Sequence, residues 1–266
     1  MTHAFDDPID ADRLRAASGL ATVEVLAEAA STMDRGRELA AVEGMALPAA
    51  VIADRQVDGR GRRGASWWQA PGSLAVSIVI DGSTTRAGPQ PIWSLACGVA
   101  VAETIRQLVP MADARVRWPN DVEVEGRKVA GILVESSGGR AILGIGVNTT
   151  GSSASAPPPL RPRIVTLQDV TGRPLPRQGF LTALVPRLLD LIAAAVEPAV
   201  VAARYRPLCG LRGQRVTVHA GDEVHEGTCV GIADDGGLIL ETATTTVIVR
   251  SGSLRAPGTE WRGRSG

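Results

Sequence analysis

Hydrophobic and polar positions change period along this chain, and each change marks an element. Over residues 74–80, Leu74, Val76, Ile78 and Ile80 alternate with Ala75, Ser77 and Val79, which is the two-residue period of a strand. From residue 92 to 108 the period lengthens, and Ile92, Leu95, Val99 and Ala102 recur at helical spacing. Before these, residues 10–17 predict a short helix, TVEVLAEA a strand and PAAVIADRQ a buried strand. Ser31-Thr32 with Asp34 behind them is a capping signature for a helix to about Val42. The stretch ARVRWPNDVEVEGRKVAGILVES reads as strand, Pro-Asn-Asp turn, strand, Glu-Gly turn, strand, and RAILGIGVNT as one more strand. SSASAPPPLRP is a loop, because its prolines and small residues sustain no regular structure. Residues 178–203 are mostly helical in pattern.

The character changes near Tyr205. QRVTVHA, EVHEGTCVGI, GLILET and TTTVIVRSGSL are short strands joined by turns such as DDGG, which predicts a small barrel-like β module. The tail after Pro257 is polar and is expected to be loose. The division expected is residues 1–208 and 209–266.

At 266 residues with 44% hydrophobic and 21% charged, the chain has the composition of a globular protein. Its formal net charge is zero, which argues against a nucleic-acid-coating function. The N-terminus is acidic without an apolar signal segment, and no apolar run is long enough to cross a bilayer. Three scattered cysteines and three histidines predict neither a disulfide framework nor a zinc site, so a reducing cytoplasm is the expected location. Of 28 Lys and Arg residues only Lys128 is lysine; the other 27 are arginines. A lysine kept against that bias is either a chance surface lysine, for which Glu125 is the nearby partner, or one held by chemistry that a planar guanidinium cannot supply.

GRGRRG, residues 59–64, contains G-x-G-x-x-G after a strand. A dinucleotide-binding turn needs a helix next, and ASWWQAPGS propagates none. No Lys-Ser/Thr follows either, which excludes a phosphate-binding P-loop. What remains is a loop whose glycines let backbone approach a ligand and whose arginines Arg60, Arg62 and Arg63 clamp carboxylate or phosphate oxygens. Trp67 and Trp68 offer flat faces to a ring or a cover over the site.

GRGRRG followed by an aromatic, then RWPNDVEVEGRKVAGILVE, then GIGVN, in that order, resembles bacterial biotin protein ligases. The likeness runs from about Ser31 to Asn148 and continues more weakly through the C-terminal module. It implies an α+β fold: a mixed-sheet catalytic domain with flanking helices, like class II aminoacyl-tRNA synthetases and the biotinyl/lipoyl ligases, plus a small SH3-like β-barrel. It implies ATP and Mg²⁺, with no metal ligands named. The implied reaction makes biotinyl-5′-AMP and then transfers biotin to a lysine of a biotin carboxyl carrier domain of a biotin-dependent carboxylase.

The resemblance assigns catalytic roles to Lys128, Arg62 and Asp121. Biotin contacts fall to Ser31, Thr32, Gln56, Gly59, Arg60, Gly61, Arg62, Lys128 and Gly131. The ATP end falls to Arg63, Trp67, Asn120 and Asn148. Met33 and Arg117 depart from the family pattern, which has Asn and Lys at those places. Too few residues precede Ser31 for a helix-turn-helix domain, so a ligase without repressor function is expected, with no nucleic-acid or membrane partner. The resemblance also allows a ligand-dependent homodimer. A lipoate ligase on the same fold and an RNA-binding protein using the Gly-Arg loop are the rival readings.

Overall fold

The computed structural model describes residues 7–82 and 91–255. The tail after Pro257, expected to be loose, lies outside the described residues. Helix α1 (Ala11–Ser18) starts where the Asp10 side chain accepts from Arg13 N. Strand β1 (Thr22–Ala29) leads to α2 (Thr32–Ala41), whose N-cap Ser31 accepts from Met33 N. Then follow β2 (Ala49–Gln56), β3 (Leu74–Asp81), α3 (Pro91–Leu108), β4 (Arg115–Arg117), β5 (Asp121–Val124), β6 (Arg127–Ser137) and β7 (Arg140–Val147). These seven strands form one mixed sheet in the order β1-β2-β3-β7-β6-β5-β4, parallel only between β1 and β2.

Both faces of this sheet are covered. Leu74, Val76, Ile78 and Ile80 join the large core with α3, while Val79 belongs to a second cluster with Met33 and Leu39 of α2. The alternation in β3 therefore separates two buried faces, not a core face from a wet one, and burial of Ser77 is complete.

The segment expected to be one long helix is two, α5 (Arg177–Ala194) and α6 (Pro198–Tyr205). Pro198 fixes the start of the second, since a proline without an N–H suits the first helical turn. A short helix, α4 (Leu167–Thr171), lies inside a stretch that pattern alone left unassigned; a reciprocal Thr166–Asp169 capping box holds its first turn.

The last strands are β8 (Arg215–Ala220), β9 (Glu223–Ile232), β10 (Leu238–Glu241), β11 (Thr246–Val249) and β12 (Ser253–Arg255). They form an antiparallel sheet in the order β11-β10-β9-β8-β12. The segment TTTVIVRSGSL is thus two strands, because β12 leaves β11 to pair with β8. These pairings do not by themselves close an SH3-like barrel. The module packs on the larger sheet: Trp118 Nε1 donates to Gly236 O at 3.1 Å and Gly210 N to Val116 O at 2.9 Å.

Candidate active site

Strand register builds the floor of a cleft. Ala75, Gly146, Gly131, Asp121 and Arg117 are successive cross-strand partners from β3 through β7, β6 and β5 to β4. Three small residues are thus followed by two charged ones along one lateral row. All five line a cavity of about 290 Å³. The next row, Ser77, Gly144 and Leu133, continues the small-residue surface.

One wall is polar. Gln56, at the end of β2, accepts through Oε1 from Thr32 N at 2.9 Å and from Thr32 Oγ1 at 3.2 Å. Ser77 Oγ donates to Thr32 Oγ1 at 2.8 Å. Ser31, Thr32 and Gln56 all line the cavity, and Ser77 is tied to Thr32 from the strand beneath; its residue type carried no signal inside an apolar strand.

The Gly-Arg loop forms the opposite wall. It is a small hairpin: Gly61 N donates to Ala65 O at 2.6 Å and Trp67 N to Gly59 O at 2.7 Å. No helix follows it, and Arg63 takes a left-handed φ of 56° beside Gly64 at 72°. Each arginine has an anchor. Arg60 pairs with Asp34, which also pairs with Arg37, which in turn reaches Glu135 at 2.8 Å. Arg62 donates to Asn120 Oδ1 at 3.3 Å and Gly252 O at 3.2 Å, and Arg63 to Ser253 Oγ at 2.8 Å.

Burial, and then the neighbouring Arg63, push the Arg62 guanidinium below its ordinary value against the pull of Asp121. It still carries its charge, since arginine does not deprotonate in proteins. Such crowding makes an incoming anion stabilising.

Lys128 Nζ lies 2.6 Å from Asp121 Oδ1 and 5.4 Å from the centre of the Trp67 ring. Glu125, the surface partner that Lys128 would otherwise have had, pairs with Arg127 at 2.9 Å. Glu123, next to Lys128 across β5 and β6, sits 3.5 Å from Arg117. Burial pushes the Glu123 carboxyl up, with Arg117 opposing.

Trp67 lies flat against bare backbone. A Cβ on Gly146 would stand 2.6 Å from its ring, and one on Gly131 2.9 Å. The Trp67 indole N–H is buried without a hydrogen-bond partner.

Two predicted residues stand apart. Gly59 does not line the cavity; a side chain there would meet Gln56 Nε2 at 3.1 Å and Trp67 O at 3.2 Å, so its space serves the turn. Asn148 is 1% exposed and also off the cavity lining, with Nδ2 on Val165 O at 3.3 Å and Oδ1 unpartnered. Gly144 and Gly146 were missed as floor residues, although glycines alternating in a strand signal a close approach by something else. Ser253 and Leu254 also line the cleft, and no local pattern marks them.

A floor of small residues, a polar corner and five lining cations, Arg60, Arg62, Arg63, Arg117 and Lys128, suit a ligand with a neutral ring and an anionic end. That combination on a mixed sheet defines the class of enzymes that activate a carboxylate before attaching it to protein. The profile of the biotin/lipoate A/B protein ligase family matches residues 27–151, and that of the biotin protein ligase C-terminal domain matches residues 212–253.

The biotin--[acetyl-CoA-carboxylase] ligase of Mycobacterium tuberculosis is 33% identical over 93% of this chain and 95% of its own. That of Paracoccus denitrificans is 33% identical over 81% and 92%. The structure of the Aquifex aeolicus biotin protein ligase in complex with biotin and ATP superposes with a TM-score of 0.78 at 26% identity, covering 89% of this chain and 99% of that one. The chain belongs to the biotin protein ligase family.

Proposed function

We infer that this chain is an ATP-dependent biotin protein ligase that forms biotinyl-5′-AMP and passes the biotinyl group to a carrier-domain lysine. The observation that carries this is the convergence of Arg60, Arg62, Arg63 and Lys128 over the Gly131–Gly146 floor. The named relatives supply the substrate, and their acetyl-CoA carboxylase supplies the class of carrier. The two relatives named above are both biotin--[acetyl-CoA-carboxylase] ligases.

In the first step biotin's carboxylate attacks the α-phosphorus of ATP, and pyrophosphate leaves. Two anions meet, so preorganised positive charge matters most. Arg60 and Arg62 bind the carboxylate and the α-phosphate, and Arg63 reaches the outer phosphates. Lys128 stands between the two reacting groups. Gln56, Thr32 and Ser31 hydrogen-bond the ureido ring, Gly131 leaves room for it, and Trp67 stacks near the adenine. Gly61 allows the backbone approach. Asn120 contacts phosphate, and Asn148, buried behind the cavity lining, is assigned to the adenylate end by the resemblance alone. The Gly-Arg loop excludes water from a hydrolysable anhydride.

In the second step the carrier's amine attacks the acyl carbon and AMP leaves; Asp121 orients that amine. Among the described residues no group of three or more His, Cys, Asp or Glu could cage a metal. Asn120 is the side chain that would stand beside a Mg²⁺ bound with the triphosphate. Mg²⁺ would supply charge neutralisation on the triphosphate.

The reading extends to a division at residues 208/209, supported by the break between the two sheets, and to a ligand-dependent homodimer, for which β1 is an end strand of the sheet among the described residues. A cytoplasmic location is supported by three free cysteines. None of the described helices is long and apolar enough to cross a membrane.

The test is a mass shift. The protein, biotin, MgATP and a purified biotin carrier domain should add one biotin to the carrier, and omission of ATP should abolish the gain. Lys128→Ala should slow AMP formation by about 100- to 1000-fold, the cost of removing one transition-state donor. A carrier that gains lipoate and not biotin would reassign the substrate.

A further inference from the structure

We propose that Asp121 shields Lys128 from acylation by the enzyme's own biotinyl-adenylate. The inference rests on the ligase reading above. Lys128 is the only lysine in the sequence, so apart from the N-terminal amine it is the only amine in the chain that a mixed anhydride can acylate. The remaining cationic side chains are guanidinium groups, which keep their proton and do not act as nucleophiles. Yet the role of Lys128 places its Nζ beside the acyl carbon, where it competes with the carrier's amine for the same bond.

The geometry gives Nζ two partners, and both attract a cation. Asp121 Oδ1 lies 2.6 Å away, and the Trp67 ring centre lies 5.4 Å away. A lysine ammonium is a donor with no free lone pair. It stabilises charge on carboxylate and phosphate without attacking carbon. Asp121 is well placed for this duty, because its backbone is paired on both sides, with Arg117 of β4 and Gly131 of β6.

Without that carboxylate the side reaction is simple. Neutral Nζ attacks the acyl carbon, an amide forms, the bond from that carbon to the phosphate oxygen breaks, AMP leaves with the electron pair, and the amine proton passes to water. The product is a self-inactivated enzyme with biotin on Lys128.

The experiment supplies synthetic biotinyl-5′-adenylate without carrier, followed by intact mass and peptide mapping. The parent protein should gain nothing at Lys128. Asp121→Asn should gain one biotin there, and Asp121→Asn combined with Lys128→Arg should gain none. Each variant must keep the parent's circular dichroism spectrum, with Asp121→Ser standing in where Asn does not fold. A folded Asp121 variant left unmodified at Lys128 after the adenylate is consumed would overturn the proposal, and so would equal modification of the parent. A separate arm with biotin, MgATP and carrier reads the ligase activity of the parent. Its failure counts against the function itself, while its success alongside an unmodified variant counts only against shielding.

Discussion

Asp34 shows how much one side chain sets at this site. It follows the N-cap of α2 and takes ion pairs from both Arg37 and Arg60. Burial pushes its carboxyl up, but hydrogen bonds and charge from the two arginines outweigh that and hold it below the usual carboxylate range. A carboxyl depressed in the folded state contributes stability at pH values above its unfolded value, about 4, and that contribution fades as the pH falls through the folded value. Asp34→Asn should therefore cost about 1 kcal/mol at neutral pH, the scale of a partly exposed ion pair. Urea titrations at pH 7 and pH 3 check this, and an equal cost at both would refute the electrostatic account. Asp34 was legible in the sequence as a capping residue. Its tie to Arg60 was not, because nothing local couples position 34 to a loop 26 residues onward.

At the scale of strands, the site exists because register aligns small residues that are far apart in the chain. Gly146 faces Ala75 on one side and Gly131 on the other, and the Trp67 ring rests where its Cβ would be. Gly146→Ala forces the indole off the floor. Overpacking of this kind costs about 1–3 kcal/mol, and here it should appear as weaker biotin binding by a similar amount in calorimetry. Undiminished affinity would mean that the indole's seat on Gly146 and Gly131 does not shape the biotin pocket.

Strand β3 was legible because it keeps a period-2 alternation, and β2 because it is a short apolar run ending in polar residues. The loop was legible because GRGRRG combines backbone freedom with charge. The lateral row was not, since pairing order β3-β7-β6-β5 follows from packing and not from chain order. The helical stretch broke in two for a local reason that was visible, Pro198, and α4 escaped notice because five residues are too few to show a period.

Across the whole molecule, the second sheet reaches the site that the first one builds. The turn between β11 and β12 presents Gly252 O to Arg62 and Ser253 Oγ to Arg63, contacts spanning 190 residues of sequence. The turn itself is fixed, since a side chain on Gly252 would meet His219 O and Val218 Cγ1 at 2.8 Å. Two of the loop's three arginines therefore depend on a module whose strands take no part in the larger sheet. Ser253→Ala deletes one of these ties without touching the floor or the polar wall. A single such hydrogen bond contributes about 1 kcal/mol, which is roughly fivefold in the population of an opened loop. Trypsin cuts after arginine only in opened chain, so cleavage within residues 60–63 should speed up about fivefold in the variant. Biotin with MgATP should slow cleavage again in parent and variant alike, because the ligands' own anions then hold the arginines. Identical cleavage rates without ligand would show that the second sheet merely touches the loop and does not restrain it.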